Sequence, residues 1–146
     1  MLNFSSLLPE ILHMSDRVFF YGTLRTGFNR TTRAGVDKYL NFMGRGCIKG
    51  KLFDLGIYPA AVPAPDSRVW GEVFEVTDPP TVLAALDRIE GHRPAEPERS
   101  LYNRVRVSAT LEDGRTEDVW VYFYNAPLGR APRITSGDYM EHLKAR

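Results

Sequence analysis

YNRVRVSATLEDGRTEDVWVYFY, residues 102–124, is the stretch whose reading decides the architecture. Val105, Val107, Ala109 and Leu111 alternate with Arg104, Arg106, Ser108 and Thr110, the period of two expected of a strand with one covered and one wet face. Glu112, Asp113 and Gly114 then supply a hairpin-turn signal, and Glu117 to Tyr124 resumes as a second strand rich in aromatic and β-branched residues. Strands joined by a tight turn pair antiparallel, so an antiparallel hairpin is predicted here.

N-terminal to this hairpin, Thr77-Asp78-Pro79-Pro80 offers cap residues and a proline for the first helical position, and Gly91 closes the segment. That predicts a helix of about three turns. Trp70 to Val76 reads as a strand, and Tyr39 to Phe53 as one long strand bent by bulges around Gly44, Gly46 and Gly50. Val18-Phe19-Phe20-Tyr21 is a continuous apolar run ending at Gly22, the pattern of a central strand buried on both faces. The one other helical candidate in this part of the chain is short, near Asn29 to Val36, so the strand–helix alternation of a doubly wound sheet is missing. The expected class is α+β: a small curved, mixed sheet or barrel flanked by a few helices.

A chain of 146 residues is expected to form one domain over 1–146, with its core at about 16–125, an N-terminal extension at 1–15 and a tail at 126–146. Met1 to Met14 is interrupted by Asn3, Ser5, Ser6, Pro9 and Glu10 and carries no basic n-region, so neither a secretory signal nor a membrane span is expected. Two readings stand for it, a start at Met14 or an amphipathic helix docking on the domain. The tail is irregular through Arg133, with a short helix expected from Ser136, Asp138 in its first turn, and is expected to pack over the domain.

With 43% hydrophobic and 25% charged residues and a net charge of +1, the chain has the composition of a globular protein, with no bulk attraction to nucleic acid or anionic membrane. The single cysteine, Cys47, cannot form an internal disulfide, which suits a reducing compartment, so a cytoplasmic location is expected. In its strand-like setting it reads as a buried, inert thiol. Gly22 to Gly27 has phosphate-loop glycine spacing, but Phe28 and Asn29 replace the Lys and Ser/Thr that such a loop requires. Gly44 to Gly50 misses the dinucleotide-binding spacing, and His13, His92 and His142 lie too far apart for a zinc motif, so no metal site is expected. The aromatics Trp120, Tyr122, Phe123 and Tyr124 lack a basic stripe and read as core rather than as a base-stacking platform.

Two features resist a purely structural reading. At 100° per residue Val82, Leu83, Leu86 and Ile89 form an apolar stripe, and Glu90 projects between Leu83 and Leu86. It lies in the last turn, where the helix dipole disfavours an anion, and burial would add a desolvation cost. A carboxylate so placed is a candidate acid/base group. Periodicity leaves open the alternative that it turns outward or pairs with Arg88, Arg93 or Arg104. Asp87, at the edge of the stripe, reads as solvated or hydrogen-bonding. The second feature is Tyr21 to Gly27, a turn after the buried strand whose backbone N–H groups could form an anion or oxyanion nest, though such composition also suits an ordinary turn.

Taken in order, Tyr21-Gly22-Thr23-Leu24, Gly56-Ile57-Tyr58-Pro59-Ala60, Gly71-Glu72-Val73-Phe74, Leu86-Asp87-Arg88-Ile89-Glu90-Gly91, Tyr102-Asn103-Arg104 and Trp120-Val121-Tyr122 resemble the γ-glutamylcyclotransferase-like family, which includes AIG2-like proteins and γ-glutamylamine cyclotransferases. The resemblance runs from about Arg17 to Tyr124. It departs from the family in a longer link from Gly91 to Tyr102 and in the N-terminal extension. It implies a small curved barrel with a cavity between the Tyr-Gly-Thr-Leu turn and Glu90. It also implies release of 5-oxoproline from a γ-glutamyl amine, peptide or derivative by intramolecular aminolysis, with Glu90 carrying the proton. Gly22, Thr23 and Leu24 would then hold a carboxylate or carbonyl oxygen, and Tyr21, Tyr58, Tyr102 and Tyr124 would line the pocket. Attacking and leaving groups both belong to the substrate, so no metal or organic cofactor is implied. A non-catalytic module of the same fold that binds amino-acid-like metabolites is the alternative.

Overall fold

A computed structural model describes residues 16–22 and 35–145. Most of the helix expected near Asn29 to Val36, and both readings of residues 1–15, lie outside them. The strands are β1 Asp16–Phe20, β2 Leu40–Lys49, β3 Lys51–Asp54, β4 Pro59–Val62, β5 Arg68–Val76, β6 Tyr102–Leu111 and β7 Thr116–Tyr124. Helix α1, Pro79–Glu90, links β5 to β6, and α2, Tyr139–Lys144, follows β7. Five strands close into a barrel in the order β1-β5-β2-β6-β7, and β3 pairs with β4 as a separate hairpin. Within the barrel β1 and β7 run parallel and the other neighbours antiparallel. The fold is thus α+β, a closed mixed barrel with helices against it.

Residues 102–124 form the expected hairpin, with Tyr102 opposite Tyr124 and Val105 opposite Val121. Strand alternation sorts β7 between two layers: Val119, Val121 and Phe123 pack inside the barrel, while Trp120, Tyr122 and Tyr124 pack outside it, toward α1. The same alternation explains the unbroken apolar run of β1. Phe19 and Tyr21 enter the barrel, and Val18 and Phe20 enter the layer beneath α1. The polar face of β6 is wet only in its second half. Arg106, Ser108 and Thr110 are exposed, whereas Tyr102 and Arg104 are covered where α1 packs.

The long strand expected from Tyr39 to Phe53 is two strands. A bulge does lie between Phe42 and Gly44, but at Gly50 the chain leaves the barrel, and β3 pairs instead with β4. Nothing in the sequence reading marked β4, whose residues Pro59, Ala60 and Ala61 have weak strand propensity.

Helix α1 follows its predicted limits. Val82 and Leu86 are fully buried, and Leu83 and Ile89 pack beside them. Its start differs from expectation, because Asp78 adopts φ +52° and its side chain makes no cap hydrogen bond. Pro79 and Pro80 bring no N–H groups to the first turn, which removes two of the donors a cap would satisfy.

The tail completes the core. Ile134 N–H donates to the Leu52 carbonyl (2.8 Å) and Asp54 N–H to that of Pro132 (2.9 Å). Ile134 and Tyr139 then plug the barrel interior. The Asp138 side chain caps α2 by accepting from the Met140 and Glu141 amides. Among the described residues no helix is long and apolar enough to cross a membrane.

Candidate active site

Gly91 ends α1 with φ +65°, a left-handed conformation that glycine adopts without a Cβ penalty, and its N–H turns back to the carbonyls of Arg88 and Asp87. This stop leaves Glu90 in the last turn, partly buried at the edge of the layer beneath the helix. A cavity of about 100 Å³ opens there. Tyr21 and Gly22 enter it from the end of β1, Tyr58 and Pro59 from the start of β4, Tyr102 from β6 and Tyr122 from β7. Phe20, Ile89 and Leu101 supply apolar wall.

Five of the residues singled out from sequence therefore meet at one cavity: Glu90, Tyr21, Gly22, Tyr58 and Tyr102. Tyr124 stands behind them, its ring edge-on to Tyr102 at 5.3 Å. Thr23 and Leu24 lie outside the described residues. Sequence reading missed Tyr122 as a wall residue. The signal was available, since Tyr122 shares the outward register of Trp120 and Tyr124, on the face where α1 sits.

The tyrosine hydroxyls brace the walls. Tyr21 donates to the Tyr122 carbonyl (2.5 Å) and accepts from the Ala61 amide (3.3 Å). Tyr102 donates to the Pro59 carbonyl (2.9 Å), and Tyr122 to Asp87 Oδ1 (2.6 Å). Burial pushes the Tyr21 phenol well above its ordinary range, with further upward pressure from Tyr102 and Glu90. Burial also raises Tyr122, followed by its hydrogen bond to Asp87 and that carboxylate's charge. Both phenols thus remain neutral donors near neutral pH. Glu90 is the one carboxylate among the described lining residues.

Of the arginines considered as partners for Glu90, Arg104 instead holds Asp87. Its Nε lies 2.8 Å from Oδ1 and its Nη2 3.2 Å from Oδ2, a two-pronged pair. The guanidinium also stacks on the Trp120 ring at 4.5 Å. Asp87 is buried, so of its two expected states the hydrogen-bonded one is realised. Gly22 has a steric reason to be glycine: a Cβ there would lie 2.8 Å from Pro59 Cγ. The long link after α1 forms part of the rim. Leu101 N–H returns to the Gly91 carbonyl (3.0 Å), and Arg93 N–H donates to Ser100 Oγ (2.7 Å). Leu101, Ile57 and Tyr58 are all exposed, at 48%, 75% and 43%, so apolar surface remains open on both sides of the cavity.

A wider, open groove of about 910 Å³ follows the seam between β2 and β6 past Cys47 and Trp70. None of the site residues expected from sequence lines it, and its carboxylate, Glu112, is an exposed partner of Arg45 (3.2 Å). Cys47 itself is only half-buried, contrary to expectation, because its register opposite Trp70 and Thr110 places it on the outer face of the barrel.

Residues 18–141 match the family described as gamma-glutamyl cyclotransferase, AIG2-like. The chain is 35% identical over 129 residues to a Methanocaldococcus jannaschii protein provisionally named a γ-glutamylcyclotransferase, covering 87% of this chain and 98% of that one. It is 29% identical over 137 residues to the γ-glutamylcyclotransferase family protein YtfP of Escherichia coli K12, covering 88% and 99%. In structure it resembles an AIG2-like protein from Mus musculus, with a TM-score of 0.66 at 24% identity over 86% of this chain and 88% of that one, a likeness of fold.

Proposed function

We propose that this chain, which belongs to the gamma-glutamyl cyclotransferase, AIG2-like family, cyclises a γ-glutamyl amine, peptide or derivative to 5-oxoproline with Glu90 as the proton carrier. The observation that carries this reading is the meeting of one carboxylate, at the negative end of a helix, with a small cavity walled by neutral tyrosines.

The chemistry needs little else. The substrate's α-ammonium gives up a proton to Glu90, and the freed amine attacks the γ-carbonyl carbon. A C–N bond forms to close the five-membered ring, the C–N bond to the leaving amine breaks, and the leaving nitrogen takes up the protons that the α-nitrogen lost. Holding amine and carbonyl together makes attack intramolecular, and one positioned carboxylate serves first as base and then as acid. Charge gathering on the carbonyl oxygen calls for N–H donors, a role assigned in this reading to the backbone from Gly22 through Leu24. The exposed apolar surface of Ile57, Tyr58 and Leu101 suits a leaving group that extends out of the cavity.

The test is to incubate the protein with γ-glutamyl amines, γ-glutamyl dipeptides and glutathione and to quantify 5-oxoproline by mass spectrometry. Product from at least one member, abolished in Glu90→Gln, is expected. Ligand-induced thermal shifts without product from any member would instead favour a binding module.

A further inference from the structure

Asp87 has no part in the proton transfers above, yet it is buried one helical turn from Glu90 and accepts three hydrogen bonds. Residues i and i+3 of a helix are neighbours, with Cβ atoms roughly 5–6 Å apart. An isolated Asp87 anion would therefore oppose ionisation of Glu90. Arg104 cancels that charge from β6 and is itself fixed on two sides. Its guanidinium lies over Trp120 on β7, and its amide N–H points to His92 Nδ1 just beyond α1 (3.4 Å). The third donor to Asp87, the Tyr122 hydroxyl, belongs to a residue that lines the cavity with Glu90.

We propose that Asp87 and Arg104 are positioning residues for Glu90, their pair fastening the last turn of α1 to β6 and β7 and presenting a neutral unit to the Glu90 carboxylate. The inference rests on Glu90 as proton carrier. The described charged and titratable groups on the elements that meet at Glu90 include Asp87 and Arg88 on α1, Tyr21 after β1, Tyr58 before β4, Tyr102 and Arg104 on β6, Tyr122 on β7 and His92 beyond the helix. Tyr21 and Tyr122 are held neutral and Arg88 is exposed, whereas the Asp87–Arg104 pair sets a buried charge within one helical turn of Glu90.

Opposite variants should then move Glu90 in opposite directions. Asp87→Asn leaves the Arg104 cation uncompensated and favours ionised Glu90, lowering the acidic limb of the kcat/KM profile. Arg104→Met leaves the Asp87 anion uncompensated and raises that limb. For a unit charge at this range in a partly buried site, each shift should be about one pH unit. The double variant should return the limb toward the wild-type position. Arg104→Lys keeps the charge without the two-pronged geometry, so it should lower kcat with the limb unmoved.

The experiment measures these profiles together with a titration of the Glu90 carboxyl by NMR on protein carrying 13C-labelled glutamate, the signal identified by its loss in Glu90→Gln. Opposite shifts in both readouts support the proposal. Shifts in one direction, or none, in folded variants overturn it. If Asp87→Asn does not fold, Arg104→Met must raise both the limb and the Glu90 titration while Arg104→Lys leaves both unmoved, and any other result in these variants overturns the proposal. If the wild type forms no 5-oxoproline, the proposed function fails, and the NMR titration alone decides whether the pair controls Glu90.

Discussion

The two layers on either side of β1 are built from the same strands and do opposite things. Inside the barrel, Phe19, Val73, Val119 and Val121 interlock with the tail's Ile134 and Tyr139, and carboxylates stay at the margin, where Asp138 caps α2 and Asp54 meets His142 (2.8 Å). Beneath α1, Val18, Phe20 and Leu86 share space with Tyr102, Tyr122 and the Asp87–Arg104 pair, and the packing leaves a cavity. Apolar side chains fill an interior without directional demands, whereas buried polar groups must meet partners at fixed geometry. The interior layer is therefore where stability should concentrate, and the outer layer where chemistry should.

The sharpest way to break this contrast is Glu90→Gln, expected to lower 5-oxoproline formation by about 10²–10⁴-fold while the thermal midpoint barely moves. A variant retaining more than a tenth of the turnover would remove Glu90 from the mechanism. The converse substitution lies at the tail. Gly137 has φ +72°, and a Cβ there would lie 2.0 Å from the Arg68 carbonyl oxygen. Gly137→Ala should cost about 2–4 kcal/mol in urea unfolding, with turnover per folded molecule unchanged.

The neutral tyrosines bind the two layers together, and pH reveals it. Tyr21 and Tyr122 have folded pKa values raised above the ordinary phenol value of 10.0. Their contribution is fully present below the unfolded value near 10 and is lost as pH rises above it toward the folded values. Urea midpoints should fall above about pH 10, and Tyr122→Phe should flatten that decline. The smallest effect is expected at the tail's hydrogen bond between His142 and Asp54. His142→Ala should cost about 1 kcal/mol and leave turnover unchanged, because Asp54 and α2 lie away from the cavity.

The elements around the cavity were legible where one periodicity dominated. The hairpin of β6 and β7, the doubly buried β1 and the span of α1 followed from alternation, a continuous apolar run and a Pro-to-Gly frame. Glu90 stood out because its position conflicted with both the helix dipole and the apolar stripe. The split at Gly50 and the short β4 were not legible, because a strand that leaves a barrel differs from one that bulges only in the partner it finds. Asp87 was ambiguous for a similar reason, since its burial depends on an arginine seventeen residues further along the chain.

By itself, the sequence determined the α+β class, the antiparallel hairpin, the helix that ends at Glu90 and the anomaly of that carboxylate. These are local consequences of side-chain period, turn chemistry and capping. Only the tertiary structure decided that β1 and β7 run parallel and close the barrel, that the tail's Ile134 enters the core, and that Tyr122 and Arg104 converge on Asp87. Such pairings join residues far apart in the chain, and their free energy comes from burial and hydrogen bonds that exist only once the layers have met.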